Sequence, residues 1–167
     1  HEPSRRQRQM CIRDRSIAAT VQKVSSNSAI FVEDGQVIPS TTLNDIASTW
    51  ESTIFPTVTS YFGSAPDVDN TCQIEIVIFS IDGGGGIGGY FVPGLSSSKE
   101  SVFMDIDDLS WRNTILAHEF QHLLHNARDP FEYIWIDEGA ADMAAYLCFG
   151  VTSSLTGHAN AWSQNSN

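Results

Sequence analysis

Along this chain the spacing of apolar residues changes period several times, and each change marks an element. Over 41–62 the residues Leu43, Ile46, Ala47, Trp50, Ile54 and Val58 recur at helical spacing. Thr41 or Thr42 is placed to cap that helix, Pro56 should kink it, and Gly63 should close it. Residues 29–33 form a short apolar run that ends at the turn dipeptide Asp34-Gly35. Over 73–81, Ile74, Ile76, Ile78 and Ser80 alternate with Glu75, Val77, Phe79 and Ile81, which predicts a strand buried on much of both faces. A further strand is expected over 101–106. These elements read as a small α/β layer, in an α+β chain whose later part is helical.

The helical part begins with a segment expected over 110–126, with Ser110 as N-cap, Asp107 and Asp108 before it, and Asp129-Pro130 beyond its end. Leu116, Phe120, Leu123, Leu124 and Ala127 gather on one side of the wheel. His118, His122 and His125 fall opposite, together with Trp111 and Ile115. A solvated helix would carry charge on its second face; here that face is also partly apolar, as the floor of a covered cleft would be. A second helix is expected from about 135 to 149, its alanines favouring helix and its small residues Gly139, Ala140, Ala141, Ala144 and Ala145 allowing close approach to the first.

The chemistry lies in His118-Glu119-Phe120-Gln121-His122. Two histidines at i and i+4 stand one helical turn apart on one face and can converge on one zinc ion. Glu119, one step round, can reach water on the open side of that ion and take a proton, the metal having lowered the pKa of the water to roughly 7. A third ligand must come from elsewhere, and Trp135-Ile136-Asp137-Glu138-Gly139-Ala140-Ala141-Asp142 offers the best candidates. Glu138 and Asp142 share a helical face, one able to bind zinc and the other to hold a ligand histidine by its second nitrogen. The alternative for Asp137, Glu138 and Asp142 is a solvated acidic cluster at a helix N-terminus. His125 is either a residue of the pocket wall supporting the ligands or a partly buried histidine without such a role. His158, Tyr133 and Tyr146 are alternatives for stabilising an oxyanion.

H-E-F-Q-H followed by W-I-D-E-G-A-A-D is similar to the gluzincin metallopeptidases, and within them looks most like the hyicolysin-type secreted proteases. The resemblance is strongest over 102–149. It implies a zincin-like fold, His118, His122 and Glu138 as zinc ligands, Glu119 as catalytic base, and Asp142 as the carboxylate that steadies a ligand histidine. It also implies a peptide or protein substrate, an extracellular location, and an edge strand beside the metal that pairs with the substrate backbone; by position the candidate is 101–106. The rival metzincin pattern needs glycine at His125 and histidine or aspartate at Arg128, and has neither. Two other readings stand beside an endopeptidase: a catalytically silent zincin-like binding module, against which the presence of Glu119 argues, and a metal hydrolase acting on a non-peptide amide.

The rest of the chain constrains these readings. Residues 5–14 back-translate to CGT CGG CAG CGT CAG ATG TGT ATA AGA GAC, a string like a transposase-type sequencing adapter. Residues 1–15 are therefore expected to be a non-native leader, and 16–167 a catalytic domain incomplete at its C-terminus. Without that leader only Lys23, Lys99, Arg112 and Arg128 oppose 18 acidic residues, moving the formal charge from −11 to about −14. Nucleic acid and anionic membranes are poor partners for such a surface. No apolar run is long enough to span a bilayer. Cys72 and Cys148 read as separate thiols or as one disulfide. Asp67-Val68-Asp69-Asn70 reads as a turn rich in Asp and Asn, with a Ca2+ loop as the alternative. The glycines of 83–86 with Gly88 and Gly89 lack the following Lys-Ser or Lys-Thr of a phosphate loop and are expected to form a mobile hairpin or lid.

Overall fold

The structure is a computed structural model that describes residues 7–12, 15–83, 86–95 and 98–164. Its strands are β1 (Gln7–Ile12), β2 (Arg15–Val24), β3 (Ser28–Glu33), β4 (Ile74–Phe79), β5 (Gly89–Phe91) and β6 (Ser101–Asp105), forming one mixed sheet in the order β1-β2-β3-β4-β6-β5. The inner strands β3, β4 and β6 are parallel, and their near-continuous apolar runs suit a sheet covered on both faces. Alternate residues serve two clusters. Ile30, Ile76, Ile78, Val102 and Met104 join the main core under the helices, whereas Phe31, Val77, Phe79 and Phe103 join Ile17 and Ala19 on the opposite face. The backbone of 7–12, part of the expected leader, pairs with β2; pairing says nothing about the origin of its codons. Residues 1–6, 13 and 14 of that segment lie outside the described residues.

Between β3 and β4 the chain forms α1 (Ser40–Thr49), a π-helical turn (Trp50–Ile54) and α2 (Phe55–Phe62). The response to Pro56 is thus a widened turn ahead of it, which places the proline in the first turn of α2, where a missing N–H costs nothing. Thr41 and Thr42 are not caps: α1 starts at Ser40 after Pro39, with no side-chain cap. Gly63 does close the run, at φ 92°. A side chain there would also strike Arg128, whose guanidinium donates to Ser64 O at 2.7 Å and Leu124 O at 2.8 Å.

Helix α3 (Arg112–Asn126) packs Leu116, Phe120, Leu123 and Leu124 into the main core, with Phe120 against Trp50 and Phe55 at ring separations of 4.8 and 5.7 Å. It begins later than expected. Ser110 lies in the turn before it, and Trp111 occupies the capping position without a side-chain bond. Arg128 N and Asp129 N both donate to His125 O, ending α3 in a tight turn that returns the chain along it as α4 (Ile134–Phe149). Ala141, Ala144 and Ala145 are fully buried on α4, but Gly139 is exposed with open space around it, so close packing does not depend on that glycine. A last helix, α5 (Ser153–Gln164), follows.

The edge strand is not the one expected. The strand over 101–106 is β6, an inner strand; the terminal strand beside it is β5, antiparallel to β6 and emerging from the glycine-rich segment. Residues 84 and 85 of that segment lie outside the described residues. The acidic loop turns its carboxylates on itself: Asp67 accepts from Cys72 N, and Asp69 accepts from Thr71 N and pairs with Lys99 at 3.3 Å. Cys72 and Cys148 are both free thiols.

Candidate metal centre

On α3, His118, Glu119 and His122 line a cleft whose wall includes β5, while Leu116, Phe120, Leu123 and Leu124 of the same helix enter the main core, and the tight turn brings the first two turns of α4 across the two histidines. His118 Nε2 lies 3.1 Å from His122 Nε2 and 3.3 Å from Glu138 Oε2, while His122 Nε2 lies 3.8 Å from Glu138 Oε1. Two imidazole nitrogens and one carboxylate oxygen, all within 4.8 Å of one another, thus face a common point. The other nitrogen of each ring meets a different carboxylate of α4: His118 Nδ1 is 3.1 Å from Asp142 Oδ1, and His122 Nδ1 is 3.0 Å from Asp137 Oδ2. The His118–Asp142 contact is a hydrogen bond of the kind that orients a metal-binding histidine by its second nitrogen, whereas His122 Nδ1 approaches Asp137 at ion-pair distance without a hydrogen bond. Two imidazole nitrogens and one carboxylate oxygen, partly buried at the cleft, are a donor set that fits a divalent ion of the zinc type.

Charge in the cluster is finely balanced. Burial alone would lower the His118 pKa, but its contacts to Asp142 and Glu138 and the charge of Glu119 push it up to about 10. His122, buried and next to His118, is held below its ordinary value. Glu119 is buried, and burial together with Glu138 and Asp137 raises it to about 7 against the opposing pull of His118. A carboxylate tuned to neutrality is suited to taking and returning a proton.

His118, Glu119, His122, Glu138 and Asp142 all line one cleft of about 600 Å³. His125 does not. Its Nδ1 lies 3.2 Å from Asp137 Oδ1 and its Nε2 lies 3.8 Å from Glu132, so it backs the carboxylate that meets His122. Of the three oxyanion alternatives, His158 is in the cleft, with Nδ1 2.9 Å from Asp142 Oδ1 and its ring 5.8 Å from that of His118. Tyr133 and Tyr146 are exposed and do not line it.

Sequence reasoning did not single out Asp137, because a carboxylate in a first helical turn reads as a partner of the helix dipole. It also missed α5, which delivers His158. A signal existed: Thr152 accepts from Leu155 N at 3.3 Å, the bond of a helix N-cap, and T-x-x before Leu155 is legible in the chain.

Compared with known proteins, the chain is 27% identical to the neutral metalloprotease ShpI of Staphylococcus hyicus, in an alignment covering 78% of this chain and 36% of that protein. The chain therefore spans little more than a third of the length of the curated relative it matches. No family model matches it. Independently of that distant likeness, His118, His122 and Glu138 form a group that could hold a metal ion.

Proposed function

We propose that this chain carries the catalytic centre of a zinc-dependent endopeptidase. The observation that carries the reading is the meeting of His118 Nε2, His122 Nε2 and a Glu138 oxygen in a cleft that Glu119 also lines. His118, His122 and Glu138 would hold the ion, which when bound supplies Lewis acidity towards a carbonyl and lowers the pKa of water. Glu119 takes the proton from the attacking water and returns it to the departing amine. Asp142 and Asp137 keep the two imidazoles aimed. His158, steadied by Asp142, is placed to donate to the oxygen that becomes negative. Strand β5 ends the sheet at the cleft wall, where an extended peptide would add as a further antiparallel strand. The extracellular location implied by the resemblance belongs to the same proposal. Among the described residues no helix is long and apolar enough to cross a membrane.

Elemental analysis of the purified full chain tests this first, beside His122→Ala and Glu138→Ala. About one zinc per chain, lost in both variants, is the expected result, and quenched peptides should then be cut. Glu119→Gln should keep its zinc and lose about 10²–10⁴-fold in kcat. A folded chain that binds no zinc would sink the reading. One that binds zinc but cuts no peptide would return the weight to a binding module or a hydrolase of other amides.

A further inference from the structure

At Gly89, strand β5 lies closer to α3 than a residue with a side chain would allow. Gly89 is in extended backbone that any residue adopts, so no turn or positive φ calls for glycine. The requirement is one of space. A Cβ at Gly89 would stand 2.5 Å from Ile115 Cγ2, 2.8 Å from the Phe103 carbonyl oxygen and 3.2 Å from Glu119 Cγ. None of these yields readily: Cγ2 sits on the branch point of Ile115, the Phe103 oxygen belongs to β6, and Glu119 is buried. At Gly88 the nearest atom is the mobile tip of Ile115, Cδ1 at 2.8 Å. The tight point is therefore Gly89. There the last strand of the sheet meets the stem of the proposed general base, and a side chain would have to lift the strand away from α3.

We propose that Gly89 is a positioning residue for the substrate: its missing side chain seats β5 against Ile115 and Glu119 and so sets the depth at which an extended peptide lies over the general base. This rests on the peptidase reading. Near the reacting atoms a displacement of about 1 Å is enough to lose on the order of 10²-fold in rate, and a lifted β5 would misplace every residue that pairs with it.

The test is Gly89→Ala in the full, zinc-loaded chain, assayed on quenched peptides of increasing length, with zinc stoichiometry and circular dichroism alongside. We expect zinc content and secondary structure to match wild type. The loss in kcat/KM should reach about 10²-fold on long peptides and shrink as the peptide becomes too short to pair with β5. The double variant Gly89→Ala/Ile115→Ala relieves the shortest contact but not that with the Phe103 oxygen, so it should recover part of the loss. Wild-type kinetics in Gly89→Ala at every length would overturn the proposal, and so would loss of zinc along with activity, which would tie the glycine to the metal centre instead. Should the single variant fail to fold, the double variant decides: a length-dependent loss supports the proposal and wild-type length dependence overturns it. A wild-type chain that holds zinc and cuts nothing would fail the peptidase reading itself, a result distinct from a wild-type enzyme indifferent to the substitution.

Discussion

Asp137 and Asp142 flank Glu138 on α4, and each meets one histidine of the proposed metal set. Carboxylates in this position fix ring orientation, and removing one costs about 10–100-fold in metal affinity or activity. Asp137→Ala and Asp142→Ala are therefore expected to weaken zinc binding by about that factor, measured by competition with a chromophoric chelator. Their activities should part when zinc is in excess. Asp137 contacts His122 and His125, so reloading should restore the Asp137→Ala enzyme. Asp142 also holds His158, so the Asp142→Ala enzyme should stay slow when fully loaded. Equal recovery of both would remove His158 from the mechanism proposed for it. The contrast also marks how far single residues were legible. His118, Glu119 and His122 follow from spacing on one helix, and Glu138 with Asp142 from spacing on the next. Which ring each acid meets depends on how α4 crosses α3, and local pattern carries no record of that crossing.

The turn joining β2 to β3 is tied to the π-helical segment by one acid. Glu51 accepts from Ser25 Oγ at 2.6 Å, from Asn27 N at 2.7 Å and from Asn27 Nδ2 at 2.7 Å. Burial would raise its pKa, but these bonds favour the charged form and hold it below the ordinary range. A pKa depressed by folding adds stability above the unfolded value, near about 4.3, and that contribution disappears as pH falls through the lower folded value. Glu51→Gln should thus cost about 1–3 kcal/mol at pH 7, read from urea denaturation. The gap from wild type should narrow in acid, where the wild-type carboxyl is itself neutral. A gap that did not narrow would show that the charge contributes nothing. The run through α1 and α2, strands β3, β4 and β6, and helices α3 and α4 are legible in the amino-acid pattern alone, whereas β2, ten residues long, is not: its apolar residues Ile17, Ala18, Ala19 and Val21 do not alternate cleanly with polar ones, and its pairing with β3 shifts register between Val21 and Lys23. Strand β5 has three residues, too few to display a period, and exists through its pairing with β6. In α5 the apolar pattern is sparse and Gly157 weakens the helical signal.

At the scale of the molecule, the parts differ in what holds them. Strands β3, β4 and β6 are buried on both faces, and α3 fills the main core with Leu116, Phe120, Leu123 and Leu124. Helix α4 buries only Ala141, Ala144 and Ala145 completely, and its large side chains Trp135, Met143 and Tyr146 face solvent. Alanines bury little apolar area, so the first two turns of α4 depend on the polar cluster. That cluster sets Glu119, Asp137, Glu138 and Asp142 around His118, His122 and His158 in a chain of formal charge −11. An ion that binds only the folded arrangement adds RT ln(1 + [L]/Kd), about 4 kcal/mol at a thousandfold excess over Kd, and that stabilisation applies to every opening that separates α4 from α3. Chelation should therefore lower the melting temperature and speed amide exchange mainly in α4 and α5, leaving β4 and β6 to exchange through global unfolding. Hydrogen exchange with mass spectrometry, run with and without chelator, resolves the two regions. If protection fell equally in the sheet and in α4, the ion would be supporting the fold as one cooperative unit; if it fell in neither, the ion would not bridge the two helices, and the ligand set drawn from both of them would be wrong.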